Sequence, residues 1–138
     1  MPKKKESSAA RRGGSPEHWK NEPDAHDFPA AMDYLTLLFP EQTAASLVDS
    51  LKVVEKLDRK AKDLLRASRL TLLPSDNPHV ATDLKKVSVG QRLSPVLLVR
   101  GQAERGVGLL VADGYHRICA SYHLDEDSDI PCRLVELQ

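Results

Sequence analysis

The segment Leu109-Leu-Val-Ala-Asp-Gly-Tyr-His-Arg-Ile118 carries the most information on the architecture of this chain. Its apolar first half predicts a strand that ends at Asp113-Gly114. The residues that follow recur at the spacing of one helix face: Tyr115, Ile118, Cys119 and Tyr122. The first amides of a helix have no partner inside the helix, and together with the helix dipole they attract anions. The segment therefore predicts an anion-binding corner between a strand and a helix.

Side chains in the same corner are suited to a phosphate. Gly114 permits a tight turn and the close approach of a ligand to the backbone. His116 and Arg117 add donors, and the fork of an arginine matches phosphate oxygens. Asp113 could cap the helix or hold a Mg²⁺ ion. This interpretation requires that the corner is not filled by neighbouring side chains and that Arg117 is not locked into an internal ion pair.

Helices and strands are predicted on both sides of this segment. Before it, the apolar spacing predicts a helical hairpin over residues 25–52. The hairpin consists of a helix that Asp27 caps, with Pro29 in its first turn and apolar residues as far as Phe39, and a helix over Glu41–Lys52. The next elements are a short strand within Val53–Leu57, a helix over Lys60–Arg69, a helix from Asn77-Pro78 to near Gly90, and strands over Ser94–Arg100 and Val107–Ala112. A final strand is predicted over Ile130–Leu137. This order predicts an α+β fold.

Composition limits the class of protein. A chain of 138 residues, 41% of them hydrophobic, can bury a core without disulfides or a structural metal. No apolar run approaches the roughly 20 residues that span a bilayer. The two cysteines, Cys119 and Cys132, do not have the spacing of a zinc site. We therefore expect a cytoplasmic protein with reduced thiols and no membrane partner.

The distribution of charge leaves a second interpretation open. The chain has 20 basic and 20 acidic residues, but residues 1–20 contain six basic and two acidic ones. We expect a disordered basic tail over residues 1–24, which either contacts nucleic acid or only keeps the chain soluble. A basic stripe on the predicted helix over Lys60–Arg69 allows the same two interpretations. Its members are Lys60, Lys62, Arg66 and Arg69.

From about Val53 onward the chain resembles the ParB/sulfiredoxin-like superfamily, a small mixed sheet with packed helices. The matching pieces occur in the family's order. They are Asp76-Asn77-Pro78, the helix that follows to Val89, Ser94-Pro-Val-Leu-Leu-Val99, Leu109-Leu-Val-Ala-Asp-Gly-Tyr-His-Arg117 and Ile130-Pro-Cys-Arg-Leu-Val135. The resemblance implies one domain over residues 53–138, with the helical hairpin in front of it.

The resemblance also implies a function. In the superfamily the Gly-x-x-Arg turn binds nucleotide phosphates, which places this role on Gly114, Tyr115, His116 and Arg117. The motif Asp-Gly-Tyr-His-Arg is similar to Asp-Gly-His-His-Arg of the free-serine kinase branch. This implies a phosphotransferase for small molecules that uses ATP or ADP, or another nucleotide such as CTP, with Mg²⁺; the bound partner is a nucleotide or a phosphorylated small molecule.

Further site residues follow from the same resemblance. Kinases of that branch use a carboxylate before the first core helix as base, and Asp76 matches it about as well in spacing as Asn77 does. Asn77 and His79 are further candidates for phosphate or nucleotide binding, with a surface position as the alternative for His79, and His116 is the second candidate for a catalytic role. Sulfiredoxins have their catalytic cysteine at the position of Tyr115, so sulfinic acid reduction is not expected. The alternative is a non-catalytic, DNA-associated or regulatory ParB-like module related to partition proteins and nucleases.

Overall fold

The computed structural model describes residues 18–137. Five α-helices are present in this range: α1 (Asp27–Leu35), α2 (Glu41–Val53), α3 (Ala61–Ser68), α4 (Pro78–Ser88) and α5 (Tyr115–Leu124). Four strands accompany them: β1 (Leu57–Lys60), β2 (Val96–Val99), β3 (Leu110–Asp113) and β4 (Asp129–Val135). The mixture of helices and strands confirms the predicted α+β class. None of the helices in the described range is both long and apolar enough to cross a membrane.

The four strands form one mixed sheet in the order β1-β4-β2-β3. Strand β4 lies between β1, to which it is antiparallel, and β2, to which it is parallel. Strands β2 and β3 pair as the predicted antiparallel hairpin. The strand that comes last in the chain therefore joins the two halves of the sheet.

Helices cover both faces of this sheet. Alternate residues of a strand point to opposite faces, and all four residues of β2 are buried, as its uniformly apolar sequence predicts. Val96 and Leu98 belong to one apolar cluster with residues of α3, α4 and α5. Leu97 and Val99 belong to a second cluster with residues of α1 and α2. The predicted helical hairpin thus forms, and it packs on the sheet face opposite α4 and α5.

A buried arginine connects the hairpin to the central strand. Arg133 of β4 is only 7% exposed. It donates hydrogen bonds to the carbonyls of Leu51 and Lys52 at 3.1 and 2.9 Å, where α2 ends. It also contacts the carboxylate of Glu22 at 2.8 Å. One side chain therefore satisfies the last carbonyls of a helix that lies about 80 residues earlier in the chain.

Several element boundaries differ from the predictions. Helix α2 continues through Val53, so β1 begins only at Leu57. Helix α1 ends at Leu35, before Phe39, and its N-cap residue is His26 rather than Asp27. Asp27 does not cap because its carboxylate is buried, where it accepts a hydrogen bond from the amide of Asp24 at 3.0 Å. Helix α4 starts at Asn77-Pro78 as predicted, and Asn77 caps it, since its Oδ1 accepts hydrogen bonds from the amides of His79 and Val80.

Part of the predicted basic tail is ordered. Residues 1–17 of that tail lie outside the described residues. Residues 18–26, which we call the N-terminal arm, pack against the loop before β2. Trp19 is 3% exposed, and the arm exchanges backbone hydrogen bonds with Leu93 at 2.8 and 2.9 Å. Residues 18–24 of the predicted tail thus pack on the fold through Trp19, a contact to which the prediction of disorder gave no weight.

Candidate functional site

Gly114 forms the corner between β3 and α5. It is the N-cap residue of α5 and has φ 116°, a conformation that favours glycine. A Cβ atom at this position would lie 2.4 Å from Cγ1 of Val96, so close packing also requires glycine. The first intrahelical bond runs from the amide of Ile118 to the carbonyl of Gly114 at 3.0 Å, and no side chain caps the helix. The amides of residues 115–117 are therefore the free donors of this helix end.

Arg117 forms an internal ion pair at this corner. Its Nη2 lies 2.8 Å from Oδ2 of Asp113 and 3.9 Å from Oδ2 of Asp27. Nη2 also donates a hydrogen bond to the carbonyl of Pro95 at 3.3 Å. The side chain is 16% exposed. The carboxylates of Asp113 and Asp27 thus already neutralise the positive charge of Arg117, which the sequence suggested as a phosphate ligand.

The corner itself stays open. It borders a cleft of about 250 Å³ between α4 and α5, which we call the α4–α5 cleft. The side of α5 contributes Asp113, Gly114, His116 and Arg117, and the side of α4 contributes His79, Thr82, Asp83 and Lys86. The rings of His79 and His116 both line it and are in contact, with centroids 4.7 Å apart and planes inclined by 42°. The sequence analysis set two conditions for anion binding at this corner. The corner is open, so the first condition is met, but Arg117 is held in an ion pair, so the second is not.

The cleft holds charged groups in a partly desolvated setting. Burial raises the pKa of Asp83, against the attraction of Arg117 and Lys86. Burial likewise raises the pKa of Asp113, and Arg117 only partly offsets this effect. Burial lowers the pKa of His116, and the neighbouring His79 lowers it further. At neutral pH His116 is therefore mainly the uncharged imidazole, able to donate or accept a hydrogen bond.

The structure separates the predicted site residues into two groups. Gly114, His116, Arg117, Asp113 and His79 line the α4–α5 cleft. The lining of the cleft does not include the other three predicted residues, which are Asn77, Tyr115 and Asp76. Oδ1 of Asn77 is engaged by the amides of His79 and Val80 at 3.0 and 3.2 Å. The hydroxyl of Tyr115 donates to the carbonyl of Thr71 at 2.5 Å. Asp76 is exposed in the turn before α4.

Two charged residues of the cleft were missed by the sequence reasoning. Asp83 and Lys86 lie on the same face of α4 as His79 and Thr82, at the i, i+3, i+4, i+7 spacing. This polar stripe is visible in the sequence. It predicts a shared helix face, although it does not tell whether that face meets solvent or the end of α5.

The basic stripe on α3 is largely compensated within the fold. Nζ of Lys62 lies 2.6 Å from the carboxylate of Asp127, and Arg66 contacts Asp63 at 3.2 Å. Arg69 donates to the carbonyl of Gly106 at 2.9 Å. Two of the four cations of the stripe thus have an acidic partner, and Arg69 is bound to a carbonyl, which leaves less free positive charge on this surface for a nucleic acid.

A group of possible metal ligands lies beside Arg117. One oxygen or nitrogen atom of each of Asp24, His26 and Asp27 falls within 4.8 Å of the others. Cations of the protein already serve both carboxylates, since Lys20 contacts Asp24 at 2.7 Å and Arg117 approaches Asp27. Hydrogen bonding and attraction by Lys20 lower the pKa of Asp24. The group is therefore compensated without a metal ion.

Comparison with known proteins gives no relative, because no family model, no curated protein and no solved structure matches the chain.

Proposed function

We propose that this protein binds a phosphate-bearing small molecule in the α4–α5 cleft, with a nucleotide such as ATP, ADP or CTP as the first candidate. The observation that carries the proposal is the convergence of three kinds of phosphate-binding group on one cleft. These are the free amides at the start of α5, the two facing imidazoles of His79 and His116, and the ammonium group of Lys86.

Lys86 is the cation that remains available to the ligand. Within residues 18–137 it forms no salt bridge, whereas Arg117 is held by Asp113 at 2.8 Å. We therefore assign the direct contact with phosphate to Lys86 and the amides of residues 115–117. Arg117 holds the turn in place and lowers the negative potential of the carboxylates near the ligand.

The cleft also has groups that fit a Mg²⁺–nucleotide complex. Mg²⁺ is usually bound by one or two carboxylates together with phosphate oxygens and water. Asp83 accepts no hydrogen bond and forms no salt bridge among the described residues, so its oxygens are free to act as ligands. Asp113 is the second carboxylate of the cleft, although it already serves Arg117.

These groups support phosphoryl transfer as the reaction class, in line with the resemblance to the free-serine kinase motif. Phosphoryl transfer depends on positioning and on charge stabilisation more than on covalent help from the protein. Because Asp83 serves as a Mg²⁺ ligand in this proposal, we assign the role of proton acceptor to His116. His116 replaces Asp76, which the resemblance suggested as base, because Asp76 does not line the cleft.

Sulfiredoxin chemistry is not part of the proposal. The position of its nucleophile is occupied by Tyr115, whose hydroxyl is bound to the carbonyl of Thr71. Cys119 is buried, and burial raises the pKa of its thiol, which disfavours the reactive thiolate.

The proposal is tested by calorimetric titration with ATP, ADP and CTP, each with and without Mg²⁺. Lys86→Gln and Lys85→Gln form a matched pair, because both lysines are exposed near the end of α4 but only Lys86 lines the cleft. We expect K86Q to weaken nucleotide binding about tenfold and K85Q by less than about twofold, since a charge-assisted contact contributes about 1.5–3 kcal/mol. Absence of binding by all three nucleotides, or an equal effect of both variants, would contradict the proposal.

A further inference from the structure

Lys86 and Asp83 also line a second cleft. It has a volume of about 370 Å³ and lies between the N-terminal arm, α4 and the loop before β2; we call it the arm cleft. It shares Asp83, Lys86 and Arg117 with the α4–α5 cleft. Ligands in the two clefts would therefore be neighbours.

The charges of the arm cleft leave a positive excess. Lys20 and Asp24 neutralise each other at 2.7 Å, and Arg117 is paired with Asp113. Within residues 18–137 neither Arg92 nor Lys86 forms a salt bridge, and both are exposed. Asp83 lines the same cleft, and its carboxylate, which Lys86 attracts, offsets only one of these two charges. A small anion would balance these charges.

A serine hydroxyl at the wall of the cleft adds a polar group that can bind a ligand. Ser94 lines the arm cleft and is only 4% exposed. Its hydroxyl forms no hydrogen bond within the described residues, and it is not one of the fully buried side-chain atoms that lack a partner there. The oxygen is therefore reached from the cleft, where it can hydrogen-bond a bound molecule.

The arm cleft is also a built feature rather than a loose surface. Trp19 fixes the arm by its burial, and backbone hydrogen bonds join the arm to Leu93, next to both Arg92 and Ser94. The walls of the cleft are therefore held in place without a ligand, which lowers the entropic cost of binding.

We propose that the arm cleft binds a small organic anion that has a carboxylate group. Arg92 forms the ion pair with the carboxylate, because its guanidinium can make two parallel hydrogen bonds to it. Ser94 binds a second polar atom of the same molecule, and Lys86 faces both this ligand and the phosphate-bearing one. The inference concerns a second ligand, and it stands whether or not the α4–α5 cleft takes a nucleotide.

The test is an NMR titration of the ¹⁵N-labelled full chain with malate, citrate and inorganic phosphate as probes. We expect malate or citrate to shift the amides of residues 20–24 and 91–94 in a saturable manner, and phosphate to shift those of residues 115–117. Arg92→Gln should weaken binding of the carboxylate probe about tenfold and Ser94→Ala about threefold, the size expected for charged and neutral hydrogen bonds. Arg105→Gln, an exposed arginine outside both clefts, should have no effect.

The outcomes separate the two proposals. The inference is overturned if neither carboxylate probe gives saturable shifts around the arm cleft, or if R92Q and R105Q bind the probe equally well. Folding of each variant is checked by the dispersion of its spectrum, and R92Q is expected to stay folded because Arg92 has no salt bridge to lose. Failure of nucleotide binding, with malate shifts retained, would reject only the phosphate site.

Discussion

Arg117 and Asp113 are joined by a 2.8 Å ion pair across the turn that Gly114 forms between them. The pair is extended by Asp27, which is 1% exposed and comes from the first helix of the described chain. The sequence suggested Arg117 as a phosphate ligand. In the fold, Arg117 is thus the centre of a cluster of one cation and two carboxylates.

Replacing Arg117 by Met tests this structural role. Its removal leaves two carboxylates with little solvent and no cation, and breaking a buried pair costs about 3–5 kcal/mol. Because Arg117 keeps 16% of its side chain exposed, we expect a loss of about 3 kcal/mol in the free energy of unfolding, measured in urea. The double variant with Asp113→Asn should recover part of the loss. A loss below about 1 kcal/mol, the size typical of surface pairs, would mean that the cluster does not hold the turn.

Gly114→Ala should be far more damaging than Gly106→Ala. Both glycines have positive φ, at 116° and 75°, so both substitutions strain the backbone by about 1 kcal/mol. Only at Gly114 does the new Cβ also meet Val96, whereas Gly106 has no atom within 4 Å of that position. We expect thermal and urea unfolding to show an additional loss of about 1–3 kcal/mol for G114A, as for other overpacked sites. Equal effects would show that Val96 moves aside at little cost.

Asp83→Asn should stabilise the protein increasingly as the pH rises. Burial raises the pKa of Asp83, so the folded state binds its proton more tightly than the unfolded state does. The wild type therefore loses stability as the pH rises from about 4, the ordinary value, through the raised one. The variant lacks this loss, so the difference in free energy of unfolding should grow in its favour between pH 4 and pH 7. Urea titrations across this range measure it, with Asp76→Asn as an exposed control; a difference independent of pH would contradict the prediction.

The local features of the fold could be predicted from the sequence because neighbouring residues determine them. Asn77-Pro78 specifies the start of α4 through a side-chain cap and a proline that needs no amide partner. The uniformly apolar β2 is buried on both faces, as such a sequence requires. The boundary between α2 and β1 differs from the prediction, since β-branched Val53 and Val54 favour a strand locally, yet the helix continues through the exposed Val53.

Only the part of the candidate site that lies within one short motif could be predicted from the sequence, because the rest depends on contacts between distant residues. Gly114, His116 and Arg117 lie within one short motif, so their proximity follows from the sequence. The approach of Asp27 to Arg117 joins residues 90 positions apart, and no local pattern reports it. Asp83 and Lys86 share a helix face with His79, but which element that face meets depends on how α4 and α5 cross.

The central position of β4 has a consequence for how the chain acquires its structure during synthesis. Strand β1 and the β2–β3 hairpin are synthesised before Asp129, the first residue of β4. They share no backbone hydrogen bonds with each other, because β4 lies between them in the sheet. The carbonyls of Leu51 and Lys52 likewise lack their hydrogen bonds from Arg133 until that residue has been synthesised. Until β4 is available, the folding chain therefore carries two incomplete sheet halves with apolar surfaces, and the pairing of such distant segments is slow and prone to aggregation.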